Sequence, residues 1–396
     1  MTISSDRSAS DAGVVVVGGG TAGATAAVAL RAGGYDGPVT LIGAETEAPY
    51  RRTVLTKDLL VADLSVEKIA LQKPQSWAER NIDLRTGVTV TAIDPSERTV
   101  VCSNGDEIGY RALVLATGGA AARPPWLGAD VRTIRALDEA LAARQAIEEA
   151  ARVAIVGGGL IGLELAASAA ARGFDVDVIE AADRILGRAV PAVVSEWFAE
   201  LHRRNGVRLH LDSAVVSASA DGVVLADGAA IDGPVVAAVG MRPDIGLAEA
   251  AGLECSRAGI IVDSGFATSA PDIYAAGDAA APPDLLTGDP SVGGHWFGAT
   301  DQGKAVAGSV LAALGGAVAP TFRDVPRAWT IQYGINVQTV GWPADGDVEI
   351  DGSLADDDAT VRVTRDGRLI GAVTVGRAAA ARTCRAEIDA SLGSTV

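Results

Sequence analysis

Two glycine-rich stretches of one design recur in the chain, Gly18-Gly19-Gly20-Thr21-Ala22-Gly23 and Gly157-Gly158-Gly159-Leu160-Ile161-Gly162. Each follows a short run of Val, Ile and Ala. Glycines at this spacing let a strand turn sharply into a helix, bring the backbone close to a pyrophosphate, and leave the first N–H groups of the helix facing that anion. An acidic residue stands after the next apolar run in both cases, Glu45 and Glu180, about where a carboxylate accepts both hydrogen bonds of a ribose diol. One such match says little. Two in the same setting imply two dinucleotide sites, built on Gly18, Gly20 and Gly23 and on Gly157, Gly159, Ile161 and Gly162.

The elements that must position these residues follow from the apolar pattern. Gly13–Val17 reads as a strand, residues 22–31 as an Ala-rich helix and Val39–Ile42 as a second strand. The pattern repeats as strand 153–156, helix Leu160–Ala171 and strand Asp175–Ile179. Extended stretches follow the first unit at 84–94, 99–103 and 112–117, and the second at 208–216, 222–225 and 235–239, so a larger block is duplicated. A helix is expected over 300–314. From Pro320 onward strands and turns alternate, and the acidic stretch 345–358 is expected to form a solvated loop.

At 396 residues and 48% hydrophobic content, the chain has material for two or three domains. No apolar run approaches the roughly 20 residues of a membrane-spanning helix. The first dozen residues carry charges and no apolar centre, so a frayed tail is expected rather than a signal peptide, with the cytoplasm as default location. A net charge of −17 argues against nucleic acid as a partner. Cys102, Cys255 and Cys384 lie far apart with no CxxC spacing, which suggests neither a metal site nor a local redox dithiol.

Glu164 is the only charge between Gly157 and Ala171 in an otherwise apolar helix. A buried carboxylate there needs a partner, because an unpaired ion costs several kcal/mol. Glu180 bears on cofactor choice: a carboxylate accepts the diol of NADH and repels the 2′-phosphate of NADPH, while Arg184 and Arg188 stand close enough in sequence to hold phosphate.

Together with the two glycine motifs, the segments Pro49-Tyr50-Arg51-Arg52-Thr53-Val54-Leu55-Thr56-Lys57 and Thr268-Ser269-Ala270-Pro271-Asp272-Ile273-Tyr274-Ala275-Ala276-Gly277-Asp278 carry a resemblance. So do Ala116-Thr117-Gly118, Gly240-Met241-Arg242-Pro243, Trp296…Gln302-Gly303 and Trp329…Gln332. Over essentially its whole length the chain resembles the FAD-dependent, NADH-using ferredoxin reductases of aromatic-ring dioxygenase and cytochrome P450 systems, relatives of rubredoxin and putidaredoxin reductases. The resemblance implies an α/β fold of two Rossmann-like dinucleotide-binding domains, as in glutathione reductase, with a smaller α+β C-terminal domain. It implies an FAD domain over 1–121 and 249–319, an inserted NADH domain over 122–248, and a C-terminal domain over 320–396.

By the same resemblance, Lys57 pairs with Glu164 beside the reactive ring nitrogen of the flavin, and Trp296 lies beside the isoalloxazine. Arg52, Thr117, Gly118 and Asp278 contact FAD, and Arg188 and Gly240 join the nucleotide sites. The helix of residues 300–314 turns its positive end to the flavin. Glutathione-reductase-like enzymes carry two cysteines shortly after the first unit, whereas residues 51–57 here hold no sulfur. Electrons are therefore expected to pass from flavin to a ferredoxin-type iron–sulfur protein, by a monomer or homodimer. The chain departs from the family pattern at Thr53, Val292, Gly294, Arg327 and Ile331. Two other readings stay open on the same scaffold: an oxidase or small-molecule oxidoreductase, and an NADH-sensing flavoprotein.

Overall fold

In the computed structural model, which describes residues 12–393, the run Val14–Val17 is fully buried and pairs in parallel on both sides, with Val39–Ile42 and with Glu107–Leu115. Only a strand covered on both faces tolerates such an unbroken apolar run. Residues 1–11, most of the expected frayed tail, lie outside the described residues. The chain divides into two units. The first comprises residues up to Arg51, Ser65–Ala120 and Arg242–Asp324; the second comprises Arg52–Leu64, Ala121–Met241 and Val325 onward.

In the first unit the strand order is Ile82–Arg85, Val39–Ile42, Gly13–Val17, Glu107–Leu115, Thr99–Cys102 and Val90–Asp94, with Ile273–Ala275 also pairing with Glu107–Leu115. The helix Thr21–Ala32 buries Ala22, Ala24, Ala26, Ala27 and Leu30. The helix Trp296–Leu314 lies so close to it that a Cβ at Gly303 would stand 2.5 Å from the Ala22 carbonyl oxygen. This helix begins about one turn earlier than the expected residue 300.

The second unit repeats the arrangement with parallel strands in the order Arg208–His210, Asp175–Ile179, Arg152–Val156 and Val235–Ala237. The helix Leu160–Ala171 is buried from Gly162 to Ala169. The same unit holds an antiparallel sheet ordered Arg327–Gln332, Ile335–Gly341, Arg368–Val375, Asp358–Arg365 and Asp347–Ser353, covered by the helix Ala378–Gly393. Val340, Leu369 and Ala372 from the sheet pack with Ala381, Cys384 and Ile388 from that helix.

The expected acidic loop over 345–358 is overturned, because Asp347–Ser353 is a strand paired residue by residue with Asp358–Arg365. Val348 and Ile350 alternate with Asp347, Glu349 and Asp351, and an edge strand needs only one neighbour to fill its ladder. Acidic side chains there disfavour pairing with a further strand, which makes an acidic sequence compatible with an edge.

Candidate functional site

The two glycine turns are built on the same backbone plan. The Gly18 N–H donates to the Ile42 carbonyl and the Gly157 N–H to the Ile179 carbonyl, each at 2.8 Å. The Gly18 and Gly157 φ angles are +118° and +113°, a region that favours glycine. A Cβ on Gly18 would meet the Ala116 oxygen at 2.0 Å, and one on Gly157 the Ala238 oxygen at 2.4 Å. Gly23 and Gly162 lie on the first turn of their helices, where a Cβ would strike the Gly18 or Gly157 oxygen at 2.0 or 2.1 Å.

The middle glycines behave differently. Gly20 and Gly159 have ordinary extended geometry as N-caps, and a Cβ on either would meet no atom of the chain within 4 Å. Each twelve-residue helix thus starts without a side-chain acceptor, leaving open space over a glycine and N–H groups to face an anion. These two cradles fit dinucleotide pyrophosphates. Ile161, on the first turn of the second helix, is 47% exposed.

The acidic residues have different settings. Glu45 accepts a hydrogen bond from the buried Tyr50 hydroxyl. Glu180 accepts from the Gly158 N–H at 2.7 Å and from the Ala182 N–H at 2.9 Å, which ties the carboxylate to its own glycine turn. The Arg184 guanidinium donates to the Gly187 carbonyl at 3.0 Å, and Arg188 is exposed.

In the first unit, Thr117 donates to the Asp244 carbonyl at 2.6 Å, and Gly118 has φ +76°. Asp278 sits in the short turn Gly277–Ala279 just past the strand Ile273–Ala275, with the Gly277 N–H held by the Gln302 side chain at 2.7 Å. Trp296 opens the helix Trp296–Leu314 and packs edge-on against Phe297, with ring centroids 5.5 Å apart. In the second unit, Arg52 donates to the Arg135 carbonyl at 2.7 Å, and Gly240 has φ +113°.

The second unit also brings Lys57 and Glu164 into an ion pair, with the Lys57 side chain 13% and the Glu164 side chain 3% exposed. Lys57 donates further to the Trp329 carbonyl at 2.9 Å, and its ammonium lies 4.7 Å from the Trp329 ring centroid. Glu164 also accepts from the Thr56 hydroxyl at 2.7 Å and the Thr330 hydroxyl at 2.9 Å. Its charge is therefore met by three donors, the condition under which a buried carboxylate persists. The short helix Val54–Lys57 supplies two of them and the strand Arg327–Gln332 the third.

Sequence reasoning paired Glu164 with Lys57 by resemblance but missed Thr56, Thr330 and the Tyr50 partner of Glu45. The signal for Thr330 was its place in the Trp329…Gln332 segment, where Thr330 and Gln332 alternate inward while Ile331 points out. Among the described residues, no group of His, Cys, Asp and Glu is arranged to hold a metal ion, and no helix is long and apolar enough to cross a membrane.

Residues 12–303 match the model of the pyridine nucleotide-disulphide oxidoreductase family, and residues 327–394 match the reductase C-terminal family. The chain is 38% identical over 379 residues to the 3-phenylpropionate/cinnamic acid dioxygenase ferredoxin–NAD(+) reductase component of Photorhabdus laumondii, covering 94% of each. It is 38% identical over 376 residues to a ferredoxin–NAD(P)(+) reductase of a Sphingomonas species, covering 90% of this chain and 88% of that protein. The structure of a covalent putidaredoxin reductase–putidaredoxin complex superimposes with a TM-score of 0.88 at 31% identity, covering 97% of this chain and 96% of that one. With its twin glycine cradles and its C-terminal sheet, the chain belongs to the pyridine nucleotide-disulphide oxidoreductase family, with a reductase C-terminal domain.

Proposed function

We propose that this protein is an NADH-dependent flavoprotein reductase that passes electrons from NADH through FAD to a ferredoxin-type iron–sulfur protein of an oxygenase system. The observation that carries this reading is the pair of matched cradles, each with its middle glycine open to an incoming pyrophosphate. The names of the relatives, ferredoxin reductases of dioxygenase systems, supply the class of acceptor.

The first cradle takes FAD in a domain drawn from 1–121 and 249–319, through Gly18, Gly20, Gly23, Glu45, Thr117, Gly118 and Asp278, with Arg52 and Trp296 adding contacts. The second takes NADH in a domain over 122–248, through Gly157, Gly159, Ile161, Gly162, Glu180, Arg188 and Gly240. Residues 320–396 form the C-terminal domain. Bound FAD supplies acceptance of a hydride and release of two electrons one at a time.

What the chain supplies is positioning. Lys57, held by Glu164, orients the nicotinamide and tunes the flavin, because hydride transfer needs two rings held at contact distance more than it needs covalent help. Glu180 favours NADH over NADPH, since its carboxylate, fixed by the Gly158 and Ala182 N–H groups, accepts a diol and repels a phosphate. Cys102, Cys255 and Cys384 are free thiols, and the thiol-free stretch 51–57 fits direct transfer from flavin to acceptor. A cytoplasmic monomer or homodimer meeting a diffusing ferredoxin completes the reading.

The test is anaerobic. Purified protein with FAD is reduced by NADH and mixed with a [2Fe–2S] ferredoxin and cytochrome c, and cytochrome reduction that depends on the ferredoxin is expected. No ferredoxin-dependent transfer, with peroxide formed in air at the rate of NADH consumption, would overturn it.

A further inference from the structure

The Lys57–Glu164 pair is the end of a longer buried chain of hydrogen bonds. The Thr330 hydroxyl donates to Glu164 Oε1 at 2.9 Å, and the Gln332 Nε2 amide donates to Thr330 Oγ1 at 3.2 Å. The Gln332 Oε1 lies 2.8 Å from His202 Nε2, and the Tyr333 hydroxyl lies 2.9 Å from His202 Nδ1. Thr330, Gln332 and His202 are buried, and Tyr333 is half-buried with its ring edge-on to His202 at 5.3 Å.

The direction of every bond follows from the charge at one end. A carboxylate only accepts, so Thr330 donates its single hydroxyl proton to Glu164 and must accept from Gln332. The amide nitrogen of Gln332 is thereby turned to Thr330, and its oxygen accepts from His202. That fixes the proton on His202 Nε2 and leaves Nδ1 bare to accept the Tyr333 hydroxyl. The imidazole is neutral, since burial holds its pKa well below the ordinary histidine value. All the donors point toward Glu164. The amide in the middle cannot hand on a proton without becoming an imidic acid, so the chain orients charge and does not conduct protons.

We propose that Thr330, Gln332, His202 and Tyr333 are positioning residues, a polarised hydrogen-bond chain that fixes the Glu164 carboxylate and, through it, the Lys57 ammonium for reduction of FAD by NADH. The proposal rests on the role given to Lys57 and Glu164 above. It ties strand Arg327–Gln332 and the following turn of the C-terminal sheet to the reactive pair, by way of a histidine on helix Ala192–Arg204.

Two measurements test it. The first needs no cofactor: the chain has three histidines, and nitrogen-15 NMR of the apoprotein reads the tautomer of each. A single Nε2–H tautomer is expected for His202 in the wild type, and a mixture in Thr330→Val, where the Gln332 amide nitrogen loses the acceptor that turns it away from His202. A mixed or Nδ1–H tautomer in the wild type, or no change in Thr330→Val, would overturn the polarity argument. The second is stopped-flow reduction of the FAD-loaded protein by NADH. Loss of one hydrogen bond to a charged group predicts that Thr330→Val slows the limiting rate about tenfold, with Thr330→Ser near wild type.

In a Lys57→Met background, the Thr330→Val change should alter the rate less than twofold, because its effect runs through the lysine. Equal slowing in both backgrounds, or no rescue by serine, would overturn the proposal. Tyr333→Phe, a half-buried change at the far end, gives the same comparison if Thr330→Val fails to fold, with a two- to threefold loss expected only when Lys57 is present. If Lys57→Met slows reduction and neither chain variant does, the positioning chain falls and the role of the pair stands. If Lys57→Met itself is without effect, both fall.

Discussion

Replacing Lys57 by Met is the sharpest probe of how the buried pair is held, because it removes the charge and keeps an unbranched stem to lie against the Trp329 ring. With the Glu164 side chain 3% exposed, the carboxylate left behind cannot turn to bulk water. Stranding one partner of a buried ion pair costs about 3–5 kcal/mol. Here Thr56 at 2.7 Å and Thr330 at 2.9 Å still donate to the carboxylate, which places the loss at the low end, about 3 kcal/mol. The Lys57 hydrogen bond to the Trp329 carbonyl is lost as well.

The expected loss is specific to charge, so a second substitution should reverse most of it. In Lys57→Met with Glu164→Gln the stranded charge is gone, and the amide oxygen still accepts from a threonine hydroxyl. Hydrogen exchange read by mass spectrometry follows the peptides of helix Leu160–Ala171 and strand Arg327–Gln332, where local opening exposes the pair. About 3 kcal/mol corresponds to roughly a hundredfold faster exchange in the single variant, with at least tenfold of that recovered in the double. A single variant within fivefold of wild type, or a double variant no better than the single, would refute the claim that Glu164 is held as a buried charge by Lys57.

Two further predictions follow from local geometry. Gly159→Ala should leave the melting temperature unchanged, since its Cβ meets no atom within 4 Å, yet raise the NADH KM tenfold or more; Gly157→Ala, at φ +113° with the Ala238 oxygen 2.4 Å away, should instead cost stability. An unchanged KM in Gly159→Ala would remove the pyrophosphate from that cradle. His202, held at about 4 by burial against the opposing Gln332 hydrogen bond, lies below the unfolded value near 6.5, so the unfolded chain takes up its proton first. Stability is then lost as pH falls through this window, by roughly 1 kcal/mol between pH 7 and 5.5, and His202→Asn should flatten that part of the urea-midpoint profile. Equal slopes in variant and wild type would contradict it.

How much of this was legible in the sequence depended on the range over which each feature is decided. Strands Gly13–Val17, Val39–Ile42 and Asp175–Ile179 and helix Leu160–Ala171 run where the apolar pattern put them, because parallel strands covered on both faces are rich in Val and Ile, unbroken in Val14–Val17 and interrupted in Asp175–Ile179 by Asp177, which Arg208 and His210 pair. Gly18, Gly23, Gly157 and Gly162 were legible for a local reason too, a turn that tolerates no Cβ, while Gly20 and Gly159 leave open space at the start of their helices. The strand at Asp347–Ser353 was hidden by its acids, since an edge position permits charges that a central strand would not. The donors to Glu164 were hidden by distance: Thr56 and Thr330 stand 108 and 166 residues away from it. No periodicity carries that information, and only the need of a buried carboxylate for partners pointed toward them.

The duplicated cradles show where a shared backbone stops and residue identity begins. Both turns use the same strand-end hydrogen bond, the same positive φ at the first glycine and the same open middle glycine. A plan written in backbone groups binds any pyrophosphate, so it cannot by itself distinguish one dinucleotide from another. On the proposed reading the distinction falls to the acidic residues, and their partners differ: Glu45 is held by the Tyr50 hydroxyl, whereas Glu180 is held by the Gly158 and Ala182 N–H groups. A carboxylate fixed by two backbone donors has its orientation set before any ligand arrives, which on that reading lets it select by geometry as well as by charge. The same division holds at the Lys57–Glu164 pair, where Glu164 stands on the helix Leu160–Ala171 but the donors that orient it come from side chains on other elements. Variation in this family's chemistry is therefore expected at such side chains, with the turns that present them left alone.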